Sequence, residues 1–493
     1  MSRRVAAVLG AVVLVVAGCG EDAVSPAAPV SSAAPVELSP CEVPEIPTAR
    51  CGSIAVPLGR AHPDVGTTEV GFALVPRTDQ SRPSLGTVVI NPGGPGTATV
   101  DLVGHRYAEG LKPILDRRDL LLVDTRGVGR SDPLSCPALS TPDFFFGPVD
   151  AQRAAIGECG KQLGDKARYY GTAAVADDFD DVRASLGLDR VDLLGDSYGT
   201  YLMATYAARH PEHVRSVVLS GAYPVNTDNN PSGPFALAAL KRAVGLVCER
   251  SGSCSGAAVL DDLGALAAAL RTAPVTVDVT HGGKSHPVLL DEARLAGVVG
   301  KIHSGPADPA KQQELVEALA VARTGDLGPV RALVTAHLVE IADIFALGPG
   351  ALSVAQLWAT SCHDYPRDFA YSDGAEDRKR DLAESLGRQG SQDFAPFSAT
   401  AWLTRDLYDV GACLEWPDDP TATAPVAKGT KLPDVPVLVL SGDLDANTST
   451  ASSKEAAGQF PHAEFAEVRD AGHTPTSTPD GAKLVMEFIT RDR

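Results

Sequence analysis

No apolar run in this 493-residue chain reaches the roughly 20 residues that a membrane-spanning helix needs, so the sequence offers no spanning segment. Positive charge is scarce. Lys and Arg number 43 against 62 Asp and Glu, a formal net charge of -19. A phosphate backbone would be repelled by that balance, which excludes nucleic acid as a partner and leaves the charge to favour solubility. No Cys-x-x-Cys pair occurs, and no histidines gather beside the cysteines, so the common zinc patterns are missing. The glycine-rich run Asn91-Pro92-Gly93-Gly94-Pro95-Gly96 lacks the Gly-Lys-Ser/Thr that would make it a phosphate loop. No internal repeat stands out. Chemistry in this chain must come from its own side chains, with no cofactor and no metal called for.

What is present begins with Gly195-Asp196-Ser197-Tyr198-Gly199. A strand-like stretch, Arg190 to Leu194, precedes it, and a helix-like one, Thr200 to Arg209, follows. That is the strand, sharp turn and helix of a nucleophile elbow. A serine hydroxyl is a poor nucleophile until a turn lifts it clear of the fold and a base takes its proton. Gly195 and Gly199 lack the Cβ atoms that would clash where strand and helix pass closely. The partners follow in the order Ser, Asp, His. The apolar run Val435 to Leu440 reads as a buried parallel strand ending in Ser441-Gly442-Asp443-Leu444-Asp445. Asp443 sits beside the turning glycine and suits a loop cap; Asp445, farther out, is taken as the acid. A last strand, Glu464 to Val468, leads to Gly472-His473, and His473 is taken as the base. The strand Thr87 to Ile90 runs into the glycine-rich loop, where Gly94, with Tyr198 of the elbow, supplies candidate backbone N–H donors for a developing oxyanion.

Short Val/Ile/Leu runs alternate with helical stretches from about Cys51 to Tyr223, the pattern of an α/β fold with a largely parallel sheet. Strands are expected at Glu69 to Pro76, Thr87 to Ile90, Asp119 to Val123, Arg190 to Leu194 and Ser216 to Leu219. The middle of the chain is dominated by Ala- and Leu-rich helices such as Leu260 to Ala273 and Lys311 to Arg323. The organisation is therefore read as a first core part over 41–225, a helical cap inserted over 226–425, and a last core part over 426–493. Such a cap lies over the sheet edge where ligands bind in open α/β folds. Asp124 and Arg126 are read as a structural turn or ion pair near that edge.

The N-terminus is basic (Met1-Ser2-Arg3-Arg4), then apolar from Val5 to Ala17, then small up to Gly18-Cys19. It reads as a signal peptide over 1–18 and resembles a bacterial lipoprotein box, which implies cleavage before Cys19 and lipidation of its thiol. Residues 19–40 are rich in Ser, Ala and Pro and read as an extended tether. The expected location is extracytoplasmic, lipid-anchored to the cell membrane. The other eight cysteines fit export and disulfide bonding. Eight thiols can pair in on the order of 100 ways. Nearness suggests Cys41 with Cys51, Cys136 with Cys159 and Cys248 with Cys254, leaving Cys362 with Cys413.

As an ordered set, several motifs resemble the α/β-hydrolase peptidases of the proline iminopeptidase and tripeptidyl aminopeptidase type, in their secreted actinobacterial lipoprotein branch. These are the Asn91 to Gly96 loop, Asp124-Thr125-Arg126-Gly127-Val128-Gly129-Arg130-Ser131, the Ser197 elbow, Ser361-Cys362-His363-Asp364, and the Asp445 and His473 loops. The likeness runs from about Cys51 to the end. It implies an α/β-hydrolase fold with a helical cap, Ser197, Asp445 and His473 as nucleophile, acid and base, and the Cys362–Cys413 pair. Asn91 stands where many iminopeptidases carry histidine, and Tyr198 where they often carry tryptophan, which favours the tripeptidyl-type branch. Thr97 replaces a glycine that often extends the oxyanion loop. The implied activity is release of short peptides from a free N-terminus through an acyl-enzyme. Asp364 and Glu415, beside the Cys362–Cys413 pair, are candidates to hold the substrate ammonium. A carboxylesterase with the same triad and an inactive envelope binding protein are the alternative readings.

Overall fold

The structure, a computed structural model, describes residues 36–227, 233–406 and 408–491. Cys19, the signal peptide and nearly all of the expected tether lie outside the described residues. The strands are β1 (Ser39–Pro40), β2 (Arg50–Pro57), β3 (Thr67–Val75), β4 (Thr87–Asn91), β5 (Asp119–Val123), β6 (Val191–Asp196), β7 (Val214–Ser220), β8 (Val275–His281), β9 (Lys284–Leu290), β10 (Val437–Gly442) and β11 (Ala463–Val468). Nine of them form one sheet in the order β1-β2-β3-β5-β4-β6-β7-β10-β11. The pairings among β5, β4, β6, β7, β10 and β11 are parallel, and β1, β2 and β3 add an antiparallel edge.

Every residue of β4, β6 and β10 is buried, as expected when helices cover both faces of a parallel sheet, and in β6 that burial includes Asp192 and Asp196. One face packs on the helices Thr172–Ser185 and Tyr198–Arg209 through Phe179, Val182, Leu202 and Tyr206. The other packs on the C-terminal helix Pro479–Ile489 through Val485 and Phe488. The strand ends on which chemistry was expected, those of β4, β6 and β10, are close neighbours in this order. β2 was not anticipated.

Between β7 and β10 the described residues form eight helices, from Pro234–Ser251 to Ala399–Leu403, and one hairpin, β8–β9. The hairpin is an addition to the mainly helical reading of this stretch. Its signal was present, since Val275, Val277 and Val279 alternate with polar residues before a Gly282-Gly283 turn in which both glycines have positive φ, 57° and 75°. The apolar core of this region also includes Phe144, Phe145 and Ile156, which precede the elbow in sequence. Disulfides join Cys41 to Cys51, Cys136 to Cys159, Cys248 to Cys254 and Cys362 to Cys413.

Two buried histidines give the helical region a pH dependence. Burial pulls both His303 and His337 down to about 4. Between that value and the usual 6.5 the unfolded chain binds protons that the folded chain refuses, so stability rises with pH and is lost as pH falls through this window. Each pH unit within it costs about 1.4 kcal/mol per histidine. Thermal melts should therefore fall in midpoint from pH 6.5 to pH 4.5, and less steeply for His337→Gln than for the parent. Equal slopes would show that His337 protonates freely in the folded state.

Candidate active site

β6 ends at Asp196, and the chain turns at Ser197 with φ 54° and ψ -124° before the helix Tyr198–Arg209 begins. A non-glycine residue rarely adopts this backbone, and it persists here because the surroundings leave no alternative. A Cβ on Gly195 would strike the Gly199 carbonyl, and one on Gly199 would strike the Asn91 carbonyl. Strand, elbow and helix thus touch through bare backbone. Asn91 of β4 is in register with Gly195 of β6, so the loop after β4 arrives beside the serine. A Cβ on Gly93 would lie 2.8 Å from Ser197 Cβ and 3.1 Å from Tyr198 N. Gly94, Ser197 and Tyr198 line one cavity of about 280 Å³. Tyr198 is the first residue of its helix, where N–H groups have no intrahelical acceptor. The two proposed oxyanion donors therefore share the cavity with the proposed nucleophile.

The carboxylate on the histidine is Asp445. His473 Nδ1 lies 3.0 Å from Asp445 Oδ2, which also accepts from Thr448 Oγ1 at 2.7 Å. Asp445 Oδ1 accepts from the N–H groups of Asn447 and Thr448 at 2.7 and 3.0 Å, so the turn that carries the acid also orients it. Asp445, Thr448 and His473 are buried, and Asn447 is half-buried. Asp443 faces elsewhere and pairs with Arg250 of the helix Pro234–Ser251. The helical region holds both loops, because His473 N donates to Gly305 O at 2.8 Å and Ala446 N to His303 O at 2.9 Å.

Among the described residues no hydrogen bond joins Ser197 to His473; Nε2 of His473 is 3.1 Å from Asn447 Nδ2. A link between their loops runs underneath. Asp196, buried and with its carboxyl pushed up by burial, accepts from Thr476 Oγ1 at 2.6 Å and from Tyr107 Oη. Sequence reasoning passed over Asp196, Asn447 and Thr448. The signal available for each was only a polar residue next to a proposed catalytic one.

Asp364 and Glu415 do not face the cavity. Asp364 accepts from Thr172 N at 2.6 Å and pairs with His363, while Glu415 pairs with Lys379. Both expectations are corrected for the same reason: adjacency to a disulfide says nothing of the direction a carboxylate takes. Asp124 accepts three backbone N–H bonds, from Thr99, Val100 and Arg130, and Arg126 forms a fully buried pair with Asp178 at 2.6 Å, so both are structural. The cavity walls come from the sheet edge and from the helical region together. Phe345, Trp358 and Trp402 make them aromatic; Arg367 and Arg405 make them cationic. Arg405 stacks 3.9 Å from the Trp402 ring centre, and burial pulls its guanidinium down to about 9. Among the described residues Asp180, His210 and His213 bring possible metal-ligating atoms together, and Asp180 there accepts from Arg183, Tyr206 and His213.

Comparison with known proteins agrees with this fold. The alpha/beta hydrolase fold family matches residues 86–246, and the family described as TAP-like protein matches residues 399–491. The chain has the α/β-hydrolase fold, and over these two stretches it is similar to members of both families. Serine protease Hip1 of Mycobacterium tuberculosis is 27% identical over 92% of this chain and 88% of its own length. A tripeptidyl aminopeptidase of Streptomyces coelicolor is 31% identical over 34% of each chain. Carboxylesterase B of Mycobacterium tuberculosis is 30% identical over 36% of this chain and 37% of its own. These relatives are named as a serine protease, an aminopeptidase and a carboxylesterase, all of them hydrolases.

The two acids at the end of β10 make opposite predictions for this hydrolase. Asp445→Asn should slow labelling of the protein by a fluorophosphonate by about 10³–10⁴-fold, the scale for a misoriented histidine. Asp443→Asn should leave the rate within about threefold, because only its pairing with Arg250 is lost. Comparable losses in the two variants would return the choice of acid to the beginning.

Proposed function

We propose that this α/β-hydrolase is an extracytoplasmic serine exopeptidase, held to the cell membrane by lipid on Cys19, that removes short peptides from a free N-terminus. Ser197 attacks the scissile carbonyl carbon while its proton passes to His473 Nε2. The C–N bond then breaks as that proton moves to the leaving amine, and water repeats the cycle on the acyl-enzyme. Asp445 keeps the proton on Nδ1 and stabilises the imidazolium. The N–H groups of Gly94 and Tyr198 hold the tetrahedral oxyanion, each donor of this kind contributing about 2.7–4 kcal/mol. The observation that carries the reading is the buried Asp445–His473 pair, with Ser197 in a small, roofed cavity at the same sheet edge. A cavity of about 280 Å³ accommodates a chain end and not a folded loop.

Peptide specificity draws support from the two relatives named as a serine protease and a tripeptidyl aminopeptidase. One observation favours an ester substrate instead. Asp409 is the carboxylate among the described lining residues that could meet an ammonium, and it is already paired through both oxygens with Arg153 at 2.7 and 2.8 Å. An ester needs no ammonium site, and carboxylesterase B stands among the relatives.

Two measurements separate these readings. Ser197→Ala should abolish fluorophosphonate labelling while the circular dichroism spectrum is kept; persistent labelling would remove Ser197 from the mechanism. Tripeptide anilides with a free N-terminus should then be turned over at least about 100-fold faster in kcat/KM than their acetyl-blocked forms, the discrimination expected when a charged group loses its partner. Equal turnover of both would exclude an exopeptidase, and turnover of short acyl esters alone would establish the esterase.

A further inference from the structure

His473 has one nitrogen for orientation and one for chemistry, and the hydrogen bonds say which is which. Thr448 Oγ1 and His473 Nδ1 both approach Asp445 Oδ2, at 2.7 and 3.0 Å. An ionised carboxylate only accepts, so each of the two groups donates to it and Nδ1 carries the ring proton. Nε2 is then the nitrogen with the lone pair, the one that must receive the Ser197 proton. That lone pair is occupied. Asn447 Nδ2 lies 3.1 Å from Nε2, and an amide nitrogen can only donate. The backbone of Asn447 is pinned by its N–H bond to Asp445 Oδ1 at 2.7 Å, so the amide is presented to the ring by the same turn that presents the acid. Asn447 also lines the cavity that holds Ser197.

Resting on the roles proposed for Ser197 and His473, we infer that Asn447 is a positioning residue that competes with Ser197 for the Nε2 lone pair. The amide caps the imidazole and holds the ring in place. Proton transfer from Ser197 requires that cap to swing away, because Nε2 has a single lone pair and cannot accept from both groups at once. The side chain can turn without disturbing the acid, since its backbone anchor is separate from its amide. A substrate carbonyl in the cavity offers the amide the acceptor it gives up. Bound substrate thereby frees the base that attacks it. The charged groups facing the ring among the described residues are Asp445, from the loop after β10, and Asp196, from the end of β6, and neither competes for Nε2.

The test uses the full-length protein and a small fluorophosphonate that fills the oxyanion site but offers Asn447 no peptide carbonyl. Asn447→Leu keeps the volume and deletes the donor. Its second-order labelling rate should rise about two- to tenfold, the range of one neutral hydrogen bond. Asn447→Asp replaces the donor with a carboxylate that favours the imidazolium, so the acidic limb of its labelling-rate profile should move upward by about one pH unit. A correctly folded Asn447→Leu protein that labels no faster than the parent overturns the inference; if that variant does not fold, an unmoved acidic limb in Asn447→Asp overturns it instead. A purely structural asparagine would slow labelling in both variants, and a mere substrate contact would raise KM for peptides without touching the labelling rate. Loss of this inference leaves the function intact as long as Ser197→Ala abolishes labelling of the otherwise native chain.

Discussion

The site depends on backbone meeting backbone at Gly195, Gly199 and Asn91. Side chains at either glycine would push the helix Tyr198–Arg209 off β6 or push β4 away from both. Because nothing intervenes, the helix starts immediately after the strand, and Ser197 is forced into its left-handed turn. Such a conformation costs of the order of 1–3 kcal/mol. The cost is borne by the surroundings: β6 is buried along its whole length, and the helix buries nearly every residue from Tyr198 to Ala207. Strain in one residue is thus held by burial of the six residues of β6 and ten of the helix, which lets the hydroxyl stand clear of the fold without the turn relaxing. The same close packing brings the Gly93–Gly94 loop to the serine, so nucleophile and proposed oxyanion donors are placed by one contact.

The acid and the base are placed differently. Neither sits on a regular element; both lie on loops that leave parallel strands, β10 and β11, and loops of that kind need support. Part of that support is internal, from the Thr448 and Asn447 bonds to Asp445. The rest comes from the segment after the helix Glu292–Ile302, whose carbonyls at His303 and Gly305 receive the N–H groups of Ala446 and His473. The helical region is therefore part of the scaffold for the catalytic loops as well as a wall of the cavity. A displacement of that region would carry the base with it, which ties substrate enclosure to the geometry of proton transfer.

Much of this arrangement was legible in the sequence, for a specific reason. Parallel strands buried on both faces must be continuous apolar runs, and Thr87 to Ile90, Asp119 to Val123 and Val435 to Leu440 are such runs. The turn at Ser197 requires small neighbours on both sides, and they are written as Gly195 and Gly199. The hairpin was masked by the Ala- and Leu-rich helices around it, and β2 by an interrupted pattern in which Gly52 and Ser53 break the alternation. Carboxylates were the hardest to read. Asp364 and Glu415 were singled out by the disulfide beside them, whereas their direction is decided by Thr172 and Lys379, distant in the chain, and by the neighbouring His363 ring. Asn447 escaped for the opposite reason: its neighbours in the chain are the ones that matter, but an amide beside an acid has no pattern of its own.

The cavity shows why substrate choice is the last thing a sequence reveals. Its lining residues run from Gly94 to Thr448, and the majority come from the helical region, where composition is set by helix formation and not by what faces inward. Aromatic rings and two guanidiniums line this partly open cavity and displace some of the water that would otherwise screen an oxyanion, so the proposed backbone donors at Gly94 and Tyr198 would each be worth more there than at a flat surface. That enhancement applies equally to a peptide and to an ester, since both pass through a tetrahedral oxyanion. What divides them is the leaving group: an amine must be protonated before it departs, and an alkoxide gains much less from the same proton. The demands on His473 Nε2 are therefore greater for peptides, which makes the residue that controls access to that nitrogen the one through which chemistry and specificity meet.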